Sequence, residues 1–154
     1  VEPGHCFEWA WLMERLALWG LTGASQTSDG LVGFARAYGL DSGRGVAVNE
    51  TLTNGEIRNA DARLWPQTER LKAALARFRR TRQPLEIDEA KAAFAGLFLY
   101  LDNPQPGLWR DKLRSSGSWI DEPAPGSSLY HITCAIAELC DTAAKPGETI
   151  PKCW

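Results

Sequence analysis

Residues 2–16 read EPGHCFEWAWLMERL, and the fold turns on this run. Proline's fixed φ suits a first helical turn, and Phe7, Trp11, Leu12, Leu16 and Trp19 recur at helical spacing. The run therefore predicts a helix that starts after the Pro3-Gly4 step and reaches about Gly20. His5, one of two histidines in the chain, falls in its opening turn. An aromatic-studded helix that begins on a histidine raises a chemical question as well as a structural one.

Working outward, Gly39 closes a second helix expected from about Asp29 to Tyr38. VAVNETLTNGEI then changes the period to alternation around Asn54-Gly55, which predicts a hairpin over Val46 to Arg58. A third helix follows Pro66, carries Leu71, Ala74, Leu75 and Phe78 on one stripe, and ends near Arg82 ahead of Pro84. A fourth spans about Ile87 to Leu101. LWRDKLRSSGSWIDEP reads as a second short extended pair turning at Ser116-Gly117. Ser127 or Ser128 caps a fifth helix that runs to about Ala143, and a tail follows from Lys145. Helical pairs separated by hairpins point to a toroid or solenoid with the hairpins on one rim.

Composition narrows the function classes. The 154 residues suit one domain, and 44% apolar with 23% charged residues is ordinary for a globular chain. A net charge of -2 gives no basic footprint for nucleic acid. The local cluster Arg77, Arg79, Arg80 and Arg82 reads as the solvated end of a helix, where cations complement the dipole. No apolar run is long enough to span a bilayer and no leader pattern is present, so a cytoplasmic location is expected. The four cysteines lack CxxC spacing and histidine partners at zinc-finger distance, so free, mostly buried thiols are expected, with no structural metal. Trp, with 7 residues, is the outlier. Indole faces stack on the C–H faces of sugars, which raises a carbohydrate ligand alongside ordinary core packing.

The two histidines, His5 and His131, each lie in the opening turn of an expected helix. The positive end of the helix dipole disfavours imidazolium, and a neutral imidazole is well matched to proton transfer near neutral pH. Glu8, three residues after His5, shares its helical face and is placed to orient the ring. Glu8, Glu50 and Glu69 are the carboxylates a glycosidase would need, but their spacing singles out no pair. There is no GxSxG elbow and no phosphate-binding glycine loop.

EPGHCFEWAWLMERL, RLWPQTERLKAAL, GLWRDKL and PAPGSSLYHITCAIAEL, in that order, span nearly the whole chain. Together they resemble the N-acylglucosamine 2-epimerase superfamily, which includes mannose isomerases and cellobiose 2-epimerases. The resemblance implies an all-α fold, the C-terminal portion of an (α/α)6 barrel with short β-hairpins on one rim. Helices one, three and five would be inner, helices two and four outer. Residues 1–144 would be that part of the barrel and 145–154 a tail, so the chain would begin inside a domain whose N-terminal half is its missing partner.

By the same resemblance, His5 and His131 are the acid/base pair and Glu8 is the glutamate of the GHxxE motif. Trp65 lines the sugar site, with Glu69 one turn later and Trp9 as a further substrate contact. The EPGH motif leans towards free-sugar isomerases. PAPGSSLYH lacks the tryptophan that cellobiose epimerases carry ahead of the last histidine. The implied reaction is proton transfer α to a carbonyl through an enediolate, with no metal or cofactor. The partner is a small sugar (mannose, fructose, glucose or a phosphate ester), and a homo-oligomer stays open. An N-acylhexosamine 2-epimerase is the alternative, and a non-catalytic helical module binding carbohydrate or protein is the alternative from another class.

Overall fold

The structure, a computed structural model, describes residues 1–103 and 105–144. Its helices are α1 (Pro3–Leu18), α2 (Ala24–Tyr38), α3 (Leu64–Thr81), α4 (Pro84–Leu101) and α5 (Ser127–Ala143). Short strands lie between them: β1 (Leu40–Asp41), β2 (Val46–Ala47), β3 (Glu50–Thr51), β4 (Ile57–Asn59), β5 (Ala62–Arg63) and β6 (Lys112–Leu113). The tail expected from Lys145 lies outside the described residues. Among those residues no helix is long and apolar enough to cross a membrane.

Helix α3 is the centre. It packs against α1 on one side and α5 on the other, while α2 covers α1 and α4 covers α3. The expected alternation of inner helices α1, α3 and α5 with outer helices α2 and α4 is the arrangement observed. One core gathers Leu71, Leu75, Leu97, Tyr100 and Ile132 between α3, α4 and α5. A second joins Phe7, Ala10, Val32, Ala35 and Ala73 between α1, α2 and α3.

The Pro-Gly step that opens α1 is explained by packing. A methyl group on Gly4 would stand 2.6 Å from Trp65 Cη2, and one on Gly39 would stand 2.5 Å from Pro3 Cβ. Real side chains do not approach so closely, so the start of α1 is clamped between the end of α2 and the start of α3. Trp65 is thereby pinned at the mouth of the inner helices.

The extended segments differ from expectation. Val46–Ala47 pairs backwards with Leu40–Asp41, and the Asn54-Gly55 turn joins β3 to β4 with a register irregularity at Glu50/Thr51. The reason is burial: Val46, Ala47 and Val48 are all fully enclosed, so this run cannot alternate between core and solvent. Gln67 of α3 replaces a strand partner, accepting from the Ala47 N–H at 2.8 Å and donating to its carbonyl at 3.0 Å. The second expected pair shrinks to a single bridge between Leu113 and Trp119. Its strand instead takes a distant partner, with Lys112–Leu113 antiparallel to Ala62–Arg63.

The helix ends shift as well. Helix α2 starts at Ala24 rather than Asp29, α3 at Leu64 rather than after Pro66, and α4 at Pro84 rather than Ile87. Pro66 and Pro84 are tolerated in the first turns of α3 and α4 because N–H groups there have no intrahelical acceptor.

Of the arginine cluster, Arg82 is the exposed helix end, whereas Arg77, Arg79 and Arg80 turn to carboxylates. Arg80 pairs with Glu14 at 2.7 Å and Asp29 at 2.6 Å, Arg77 with Glu86 at 2.9 Å and with Asp29, and Arg79 with Glu138. Glu14, Glu86 and Glu138 are buried, so they require the cations that the sequence places opposite them. Of the cysteines, Cys6 and Cys134 are buried free thiols and Cys140 is exposed, while Cys153 lies outside the described residues.

Candidate active site

The N-terminal ends of the three inner helices converge. His5 is in the first turn of α1, Trp65 in the first turn of α3, and His131 one turn into α5. The Trp65 indole stands 5.0 Å from the His5 ring and 5.8 Å from the His131 ring, centroid to centroid, tilted about 45° and 40° to them. Both imidazoles therefore pack against one aromatic floor. Tyr130 stands edge-on to His131 at 5.3 Å.

The two histidines differ in setting. His131 is 20% exposed, and its Nδ1 lies 2.8 Å from Oε1 of Glu69, which is fully buried. A carboxylate partner assigns the hydrogen to Nδ1 and leaves Nε2 as the free base. The other carboxylate oxygen of Glu69 is 2.7 Å from Lys72 Nζ, one turn along α3. Lys72 in turn stands over the Trp11 ring, 4.0 Å from its centroid, and Trp11 Nε1 donates to Glu138 at 2.9 Å. His5, by contrast, is 54% exposed, and its Nδ1 lies 3.3 Å from Oε2 of Glu2.

The expected neighbour of His5 was Glu8. The structure gives that place to Glu2, the N-cap residue, whose extended backbone lets the side chain fold back on the first turn. Glu8 is half-buried and makes no hydrogen bond or ion pair to His5 among the described residues. On α5, Cys134 first, then burial and the carboxylates of Glu69 and Glu8, push the Tyr130 phenol above its ordinary value of 10.0. Trp9, one turn after His5, is 53% exposed on the open side of α1. Glu69, expected beside the sugar, is enclosed, with its carboxylate engaged by His131 and Lys72.

A small polar cleft of about 130 Å³ adjoins Trp65, lined among others by Glu2, Asn49, Asn59 and Arg63. A larger cleft of about 350 Å³ lies at the opposite ends of α1 and α3, beside Arg15, Arg79 and Arg80, away from the histidines. Among the described residues no cluster of three or more His, Cys, Asp or Glu could hold a metal ion. Sequence reasoning missed Glu2 and Lys72. The Glu69–Lys72 spacing on α3 was a readable signal, since side chains three apart meet on a helix.

Comparison with known proteins gives the family and the fold. The family model described as N-acylglucosamine 2-epimerase (GlcNAc 2-epimerase) matches residues 1–135. A mannose-6-phosphate isomerase of Rhizobium meliloti (strain 1021) is 43% identical over 146 residues, which cover 92% of this chain and 38% of that protein. Among solved structures, a D-mannose isomerase superposes with a TM-score of 0.84 at 21% identity, covering 92% of this chain and 37% of the other. A cellobiose 2-epimerase from Bacillus thermoamylovorans B4167 does so with 0.80 at 11% identity, covering 92% and 39%. The chain thus spans about two fifths of the length of the relatives it matches. At these identities the solved structures establish the fold, a portion of an (α/α)6 barrel.

Proposed function

Because this chain belongs to the N-acylglucosamine 2-epimerase family, we propose that it supplies the acid/base wall of a sugar isomerase or 2-epimerase. Residues 1–144 are the contributed portion, and further helices complete the barrel. Exposed apolar side chains support that completion: Phe94, Phe98 and Leu99 on α4 and Leu129 and Ile136 on α5 leave faces that isolated globular chains cover.

The observation that carries the reading is the pair of imidazoles on Trp65, one of them held by a buried carboxylate. The open-chain aldose lies with its C–H face on the indole. One histidine removes the C2 proton, and the C2–H electron pair becomes the C1=C2 bond as the carbonyl pair moves onto O1, giving an enediolate that a proton on O1 converts to the enediol. Loss of the O2 proton makes C2 the carbonyl, and a proton returned to C1 completes the ketose. A proton returned to C2 from the opposite face, by the other histidine, gives the epimer instead. Glu69 acts behind His131, holding its ring and tautomer.

The substrate class is an aldohexose or ketohexose, with mannose and its 6-phosphate the first to test given the relatives' names. The experiment incubates the complete barrel containing this chain with mannose, mannose 6-phosphate and N-acetylmannosamine in D2O and follows the C2 proton by NMR. Exchange with formation of the ketose supports isomerisation of that sugar. Exchange confined to the N-acetyl sugar moves the function to the alternative branch, and no exchange with any sugar overturns the enzymatic reading in favour of a binding module.

A further inference from the structure

Lys72 is out of place by composition. It lies on α3 among Leu71, Ala73, Ala74 and Leu75, and its side chain is only 2% exposed. Long cationic side chains ordinarily extend to water, and a buried ammonium is tolerated only with close partners. Among the described residues its single ion-pair partner is Glu69, and its ammonium also stands over the face of Trp11. Apolar side chains of similar volume can fill such a space as stably as a buried ion pair, so stability alone does not account for the pair.

We propose that Lys72 is a positioning residue for the proton transfer at His131. This rests on the reading of His131 given above. The links are consecutive: Trp11 to the Lys72 ammonium, the ammonium to Glu69 Oε2, and Glu69 Oε1 to His131 Nδ1. A carboxylate free to rotate would offer His131 either oxygen in many orientations. With Oε2 tethered by Lys72, Oε1 faces the imidazole in one, and the ring, held through Nδ1 at 2.8 Å, keeps Nε2 free of Glu69. Trp11 Nε1, bonded to the Glu138 carboxylate that also takes Arg15 and Arg79, fixes the ring that cages the ammonium. The proton carrier is thus anchored to the packed middle of the barrel wall, not to its open rim.

The test compares Lys72→Met and Lys72→Gln with the wild type in the complete barrel, reading kcat and KM separately along with the His131 Nδ1–H resonance. Lys72→Met lowers kcat about tenfold to a hundredfold, the size expected for losing the charged partner that orients the carboxylate behind a functional histidine, with KM within about twofold. Its Nδ1–H resonance broadens by exchange with water, and Lys72→Gln falls between the two. A purely structural lysine would lower thermal stability while leaving kcat per folded molecule and the resonance unchanged. That result in either folded variant overturns the proposal.

Should both variants fail to fold, the wild type decides. A slowly exchanging Lys72 Nζ–H signal with a dipolar contact to the Trp11 ring supports the tether, and a rapidly exchanging ammonium overturns it. Loss of activity in His131→Ala alongside wild-type behaviour of the Lys72 variants refutes only this inference. Full activity in His131→Ala refutes the reading beneath it.

Discussion

Glu69 and His131, on neighbouring inner helices, meet at 2.8 Å between a fully buried carboxylate and a ring that still reaches solvent. The carboxylate cannot leave without stranding Lys72, and the imidazole cannot turn without stranding the carboxylate. Glu69→Gln keeps the volume and removes the charge. Breaking a buried pair by removing one partner costs about 3–5 kcal/mol, so the melting temperature falls. We expect kcat to drop by roughly a hundredfold or more, as when an orienting carboxylate behind a catalytic imidazole becomes an amide. Denaturant unfolding and steady-state kinetics check the two effects separately.

Gly4→Ala tests the clamp at the barrel mouth. The added methyl would lie 2.6 Å from Trp65 Cη2 and 3.0 Å from Pro66 Cβ, so the indole or the helix start must move. Overpacking of this kind costs about 1–3 kcal/mol. Because Trp65 carries both imidazoles, activity should fall further than stability alone predicts, a comparison made at a temperature where both proteins are fully folded.

Trp65→Phe keeps an aromatic floor but narrows it. The expected outcome is a rise in KM of about twofold to tenfold, from the 0.5–1.5 kcal/mol that an aromatic contact contributes beyond its area. Isothermal titration with a non-reacting sugar analogue measures the binding part directly.

The ion pairs at the other end of the barrel wall, around buried Glu86 and half-exposed Asp29, give a pH prediction. Burial pushes the Glu86 carboxyl up, but hydrogen bonds and charge from Arg36 and Arg77 outweigh it and hold the group below its ordinary 4.5. Asp29 is likewise held below 3.8 by Arg77 and Arg80 against its desolvation. A carboxyl lowered in the folded state contributes stability that is complete above its unfolded value and lost as pH falls through the folded one. The melting temperature should therefore stay level down to about pH 5 and fall below it, and Glu86→Gln should flatten that acid limb while lowering stability at neutral pH.

The helices were legible because their apolar residues recur at helical spacing and Pro3, Gly39 and Pro84 punctuate them. The first turn of α2 was not, since Ala24-Ser25-Gln26-Thr27-Ser28 has no apolar period. Its placement comes from tertiary contacts such as the Ser28 hydroxyl donating to Glu14 at 2.7 Å. The strand pairings were hidden for a related reason. Val46–Ala47 pairs back with Leu40–Asp41 and takes the Gln67 side chain at Ala47, and β5 finds β6 some fifty residues away, neither of which local alternation reveals. At the site, His5, His131 and Trp65 came from motif resemblance, and the structure brings them together. Lys72 was not singled out, and the Arg77–Arg80 cluster read as a solvated helix end, because sequence gives the type of a residue but not the carboxylate that faces it.

The central claim is that His131 carries a proton to or from the substrate carbon. Deuterium incorporation at C2 of mannose, or of whichever sugar the wild-type barrel turns over, measured by NMR in D2O for wild type and His131→Ala, tests it most directly. The account predicts steady incorporation in the wild type and none above the uncatalysed rate in the folded variant. Incorporation at the wild-type rate in His131→Ala would contradict it.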